Sequence, residues 1–201
     1  MATEPTTERG RATRGRIVRA AAGLIAERGV AGMSLDDVCL QAPASKSQLY
    51  HYFSGRDELQ QAVAEATCEA VMAGQATLLD DFGTLEGAER YLGAIVALQQ
   101  QRQARGGCPI GSLAGQLAEH HEGSRRALVD GFDRWEAALR TGLEAMAERG
   151  VLRPGTDVAS LAAQILGAIQ GGLLLTQVRR DPGQMRQAAD AALVLLRGAT
   201  A

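Results

Sequence analysis

Tyr50, His51 and Tyr52 stand side by side after Ser45-Lys46-Ser47-Gln48-Leu49, with Arg56 close behind. Hydroxyl, imidazole, amide, ammonium and guanidinium groups at this density are donors and acceptors suited to phosphate oxygens and base edges. Tyr50, Tyr52 and Phe53 also concentrate aromatic side chains in a chain that is only 3% aromatic. Covalent chemistry has no comparable candidate. The sequence holds no nucleophile elbow, no phosphate-cradling glycine loop and no HExxH pair, so no catalytic residue, metal site or cofactor is expected. His120-His121 read as a solvated pair before a loop. Cys39, Cys68 and Cys108 are odd in number and form no CxxC pair, which argues against a disulfide framework or zinc knuckle and for a reducing compartment.

The elements that must position these groups follow from composition. The 201 residues are 46% hydrophobic and 22% charged, with a formal net charge of −2, as expected for a folded chain of one or two domains. Alanine (36) and leucine (24) far outnumber the 28 Val, Ile and Thr residues, which favours helix over strand throughout. The longest strongly apolar stretch is taken to be 191–196, too short for a bilayer span. The first 20 residues carry Arg9, Arg11, Arg14, Arg16 and Arg19 and no secretory core, so a cytoplasmic protein without membrane contact is expected. Those five arginines, with no acid between them, suit phosphate neutralisation and salt-sensitive binding.

Residues 1–11 read as a flexible basic arm. From residue 12, Ile17, Ala20, Ala21, Leu24 and Ile25 recur at helical spacing up to the Gly29 stop. Ser34 caps a short second helix that ends before Pro43, and Ser45 caps a third only eleven residues later. A fourth helix runs from the Ser54-Gly55-Arg56-Asp57 cap to about residue 79. Further helices are expected over about 84–104, 111–119, from a Ser124 cap to Gly150, from an Asp157 cap to about 179, and over about 183–197. Two short capped helices joined by a three-residue turn and braced by a longer one form a helix-turn-helix. With Leu49 and Phe53 turned inward, 100° per residue places Ser47 and His51 on the opposite face, flanked by Gln48 and Tyr50. Lys46, Tyr50, Tyr52 and Arg56 lie beside that face within reach of phosphates, as do backbone N–H groups at the helix starts capped by Ser34 and Ser45.

Residues 13–59, TRGRIVRAAAGLIAERGVAGMSLDDVCLQAPASKSQLYHYFSGRDEL, resemble the DNA-binding domain of the tetracycline-repressor (TetR) family of transcriptional regulators. The matching features are Ala20-Ala21, Gly29, Ser34, Val38, Ser45, the Leu49-Tyr50-His51-Tyr52-Phe53 run and Arg56-Asp57-Glu58-Leu59. The resemblance implies phosphate contacts at Ser34, Lys46, Tyr50, Tyr52 and Arg56, and base reading by Ser47, Gln48 and His51; Arg14 joins the DNA-binding set from the basic cluster. Pro43 departs from the pattern, because the family usually has glycine in this turn.

The expected fold is therefore all-α: an N-terminal three-helix DNA-binding domain over 12–55, then a larger helical ligand-binding and dimerisation domain over 56–201. The implied protein is a repressor that a small apolar inducer releases from a pseudo-palindromic double-stranded DNA operator. The rival class is a helical small-molecule carrier without DNA binding. The last two helices resemble the family's dimerisation pair. Independently, Leu161, Ile165, Ala168, Gly172 and Leu175 follow a 4-3-4-3 spacing, and with Ala189, Ala192 and Leu196 they form the candidate homodimer interface. Met72, Leu98, Cys108, Leu117, Phe132, Trp135 and Ile169 have side chains suited to a ligand pocket.

Overall fold

The computed structural model describes residues 5–201, and among these it contains nine α-helices: α1 (Glu8–Arg28), α2 (Leu35–Gln41), α3 (Lys46–Tyr52), α4 (Arg56–Asp80), α5 (Leu85–Gln101), α6 (Pro109–Leu117), α7 (Glu122–Glu148), α8 (Val158–Arg179) and α9 (Gly183–Gly198). The one extended pairing is an isolated bridge between Leu152 and Thr200. The chain divides into two compact units. One comprises the residues up to Ala70 with Leu113–Gly131; the other comprises Val71–Ser112 with Phe132–Ala201.

In the first unit, α1 begins at Glu8, earlier than the residue-12 start expected from apolar spacing. Thr7 is the reason. Its hydroxyl accepts from the Gly10 N–H at 3.1 Å, and Glu8 adds a carboxylate at the positive end of the helix dipole. Arg9 and Arg11 are thus helical, and residues 1–4 of the expected arm lie outside the described residues. Ile17, Val18, Ala20, Ala21, Leu24 and Ile25 of α1 are buried together with Val38, Leu49, Phe53 and Leu59, so the inward positions of α2 and α3 close one small core. Further along, Cys68 and Gly131 are in near contact: a Cβ on Gly131 would fall 2.3 Å from Cys68 Sγ. Glycine there is a packing requirement, and Cys68, 3% exposed, is a structural thiol.

In the second unit, α6 starts at Pro109 rather than Gly111, since proline is tolerated in a first turn whose N–H has no helical acceptor. α7 starts within the first unit, at Glu122, two residues before the Ser124 expected to cap it. The cap is His121 instead: its Nδ1 accepts from the Ser124 N–H at 3.0 Å and lies 2.9 Å from the Ser124 hydroxyl. The Asp157 cap on α8 is present, with Oδ1 accepting from the Ser160 N–H at 3.0 Å. Helix α8 holds no charged residue between Val158 and Val178, and an 18-residue window of it has a mean hydropathy of 1.7, a longer apolar stretch than the 191–196 run taken from sequence and one that a core helix also shows. Part of its apolar surface is covered by α9.

That covering also takes up most of the residues expected at the homodimer seam. Leu161, Ile165 and Gly172 on α8, and Ala189, Ala192 and Leu196 on α9, are all buried inside the subunit, and Ala168 is half-buried. A Cβ on Gly172 would lie 2.5 Å from Ala188 Cβ and 3.0 Å from Met185 Sδ, so the α8–α9 approach within one chain requires that glycine. Of the expected set only Leu175, 42% exposed, faces outward. It does so with Leu174, Val178, Val194 and Leu195. The 4-3-4-3 pattern correctly marked a helix-pairing seam, but pattern alone does not say whether the partner helix belongs to the same chain.

Candidate nucleic-acid interface

The recognition element is α3, and its rotation is fixed from inside. Leu49 and Phe53 are fully buried, whereas Ser45, Lys46, Ser47, Gln48, Tyr50 and His51 are exposed. A complete capping box sets its start: Ser45 Oγ accepts from the Gln48 N–H at 3.1 Å, and Gln48 Oε1 accepts from the Ser45 N–H at 2.9 Å. Ser34 caps α2 in the same way, accepting from the Asp37 N–H at 3.1 Å. Glu58 Oε2 accepts from the Ser54 N–H at 2.7 Å at the start of α4. That hydrogen bond holds the Glu58 carboxyl below its ordinary pKa.

The expected contact residues divide by what already occupies them. Ser47, Tyr50 and His51 are open to a ligand, and Tyr50 is 55% exposed. Tyr52 is half-buried and meets the His51 ring edge-on, with centroids 4.8 Å apart at 73°. Gln48 has its carbonyl committed to the cap, so only its amide N–H groups remain for a base edge. Lys46 Nζ pairs with Asp36 Oδ1 at 2.8 Å, both side chains about two-thirds exposed; that hydrogen bond and the Asp36 charge raise the lysine pKa. A phosphate would have to compete with Asp36 for this ammonium. Arg14 is half-buried, its guanidinium 5.1 Å from the Phe53 ring centre. Arg56 donates to Val30 O at 2.5 Å and Ala31 O at 3.2 Å. It fastens the turn that leads into α2. Arg9, Arg11, Arg16, Arg19 and Arg28 are the exposed cations of α1, and Arg28 pairs with Asp37.

Pro43 lies in the turn between α2 and α3, where its ring leaves no backbone N–H to donate.

The residues proposed as a ligand pocket fall in both units, all but Leu117 in the second. Leu117 belongs to the first unit, and Leu98 is 39% exposed. Cys108, Trp135 and Ile169 are buried in the second unit, where Met72 and Phe132 are half-buried. The polar network around Trp135 had no sequence signal, because Tyr91 and Gln75 meet it only through packing. Trp135 Nε1 donates to Tyr91 Oη at 2.7 Å, and that hydroxyl donates to Gln75 Oε1 at 2.9 Å. Burial pushes the Tyr91 hydroxyl pKa up. It also pushes the Cys108 thiol up.

Two short capped helices, braced by a third and presenting uncommitted hydroxyl and imidazole groups, define a helix-turn-helix DNA-binding unit. Residues 17–63 match the family model for bacterial regulatory proteins of the tetR family, and residues 85–192 match the tetracyclin repressor-like C-terminal domain. A helix-turn-helix transcriptional regulator of Lactococcus lactis subsp. lactis is 30% identical over 176 residues, covering 85% of this chain and 86% of its own length. One from Mycobacterium tuberculosis is 29% identical over 180 residues, covering 84% and 86%. In fold, the chain is similar to a TetR-family regulator of Cytophaga hutchinsonii, with a TM-score of 0.82 at 19% identity and 98% of each chain covered. A regulator from Mesorhizobium loti gives 0.81 at 18%, covering 97% and 100%. The chain belongs to the TetR family. It is a DNA-binding transcriptional regulator and not an enzyme.

Proposed function

We propose that this regulator is a homodimeric cytoplasmic repressor that leaves a pseudo-palindromic operator when a small molecule binds its second helical unit. The observation that carries the DNA-binding part is the rigid outward presentation of Ser47, Tyr50 and His51 on α3, between a capping box at one end and the buried Leu49 and Phe53 beneath. Ser47, His51 and the free amide of Gln48 read bases. Tyr50, Lys46 and the exposed α1 arginines hold phosphates, while Ser34 and Ser45 aim helix-start N–H groups at the backbone.

Dimerisation uses the outer stripe of α8 and α9, with Leu174, Leu175, Val178, Val194 and Leu195 exposed at 40–70% or so. Gly167 and Gly171 lie along the same side of α8, and a Cβ on either would meet nothing within 4 Å, so a partner helix can approach closely. A twofold dimer then offers two recognition helices to half-sites about 34 Å apart. The test is a mobility-shift titration on DNA upstream of the gene encoding this chain. Binding should weaken steeply between about 50 and 200 mM salt and show a two-half-site footprint. Salt-insensitive binding, or a footprint of one half-site, would refute the proposal.

A further inference from the structure

Several elements of the second unit place uncharged polar groups in its interior. Gln75 comes from α4, Tyr91 and Gln99 from α5, Trp135 from α7, Gln170 and Thr176 from α8, and Cys108 precedes α6. No Asp, Glu, Lys, Arg or His is among the described residues that are buried. An ion taken inside would lose its hydration and meet no counter-charge.

Within this set the hydrogen-bonding capacity is unevenly used. The Tyr91 hydroxyl is satisfied, accepting from Trp135 and donating to Gln75. Cys108 lies within electrostatic reach of that hydroxyl, and its sulfur accepts from the Gly111 N–H at 3.4 Å. Gln170 borders the same spot: a Cβ on Gly111 would fall 3.2 Å from Gln170 Oε1 and 3.4 Å from Cys108 Cβ. Gln170 Nε2 is buried without a hydrogen-bond partner. Gln99 Oε1 and Thr176 Oγ1 are also buried and unpaired, in side chains that are 1% and 0% exposed. Native proteins retain few such groups, because each loses water and gains nothing in return.

We propose that the small molecule bound by the second unit is uncharged and largely apolar, and carries a carbonyl oxygen that accepts from Gln170 Nε2 beside Cys108. This rests on the ligand-responsive function proposed above. A charged ligand would meet no buried counter-ion among the described residues. The acceptor is specified because the open group nearest Cys108 is an N–H donor. Cys108 is a neighbour of the ligand and does not form a bond to it.

The chain has one tryptophan, and Trp135 reaches this cluster through Tyr91, so its emission reports occupancy. The full-length protein is titrated with 2-nonanone and, separately, with nonanoate, an anion of the same chain length. The ketone should shift Trp135 emission saturably, and nonanoate should bind at least about tenfold more weakly. Gln170→Leu should weaken the ketone about tenfold while raising the melting temperature of the unliganded protein by about 2–4 °C, since it removes an unpaired group. If the leucine variant does not fold, Gln170→Met, which also lacks the N–H, takes its place. Equal binding of nonanoate, no response to the ketone up to its solubility, or unchanged ketone affinity in the variant would each overturn the proposal. Operator binding is followed in parallel. A ketone that shifts Trp135 emission without weakening operator binding would refute release while leaving the ligand class standing.

Discussion

Arg56 donates to two backbone carbonyls in the turn before α2, and this use competes with the phosphate contact that family resemblance implies for it. The two roles give different measurements. Arg56→Met should destabilise the protein by about 1–3 kcal/mol, because it strips charged donors from the carbonyls they satisfy. The salt slope of operator binding should stay the same. A slope smaller by about 0.9 would instead show that a phosphate contact had been lost. Tyr50 and His51 make the opposite case, being exposed and uncommitted. Tyr50→Ala should weaken binding to every DNA sequence, whereas His51→Ala should chiefly relax base preference, each good base contact being worth about 1–3 kcal/mol; competition shifts with substituted operators separate the two. Residues whose partners lie a few positions away were legible in the sequence: Ser34, Ser45 and Asp157 cap the helices they were assigned. Arg56 was not, because its carbonyls lie 25 and 26 residues back along the chain.

At the scale of the element, adjacent glycines in α8 test which face is which. Gly172→Ala should cost about 1–3 kcal/mol through overpacking against Ala188 and Met185. Gly171→Ala meets nothing within the subunit and should stabilise the helix by up to about 1 kcal/mol. Thermal unfolding of the two variants at low protein concentration reads the difference. The start of α4 carries a pH dependence. The folded pKa of Glu58 is depressed by the Ser54 N–H, so its contribution is present above the unfolded glutamate pKa and is lost as pH falls through the lower folded value. Glu58→Gln should therefore narrow the stability difference from the parent at acid pH and leave it widest near neutrality. Helix identity and order were legible throughout, because alanine-rich amphipathic runs, serine caps and glycine stops are local signals. The α1 and α7 starts were displaced because Thr7 and His121 do the capping. Apolar stripes were legible as stripes, but their partners were fixed only by packing.

For the whole molecule, everything that needs a symmetric operator depends on which surface joins two subunits. Two stripes on α8 and α9 compete for that role. The inner one, with Leu161, Ile165, Ala192 and Leu196, is consumed within the chain. The outer one leaves Leu174, Val178 and Val194 at 60%, 70% and 67% exposure, more apolar surface in one place than a monomer usually leaves in water. Val178→Arg or Val194→Arg should therefore convert the sedimenting species from dimer to monomer with little change in helical content. The same change should weaken operator binding by about 100-fold or more, since a second half-site is then no longer engaged intramolecularly. Leu161→Ala should do the reverse, costing about 2–5 kcal/mol of fold stability as a cavity opens between α8 and α9 while the folded protein remains dimeric. A Val194→Arg protein that still sediments as a dimer would place the twofold axis on another face, and the spacing of the two recognition helices would have to be set there instead.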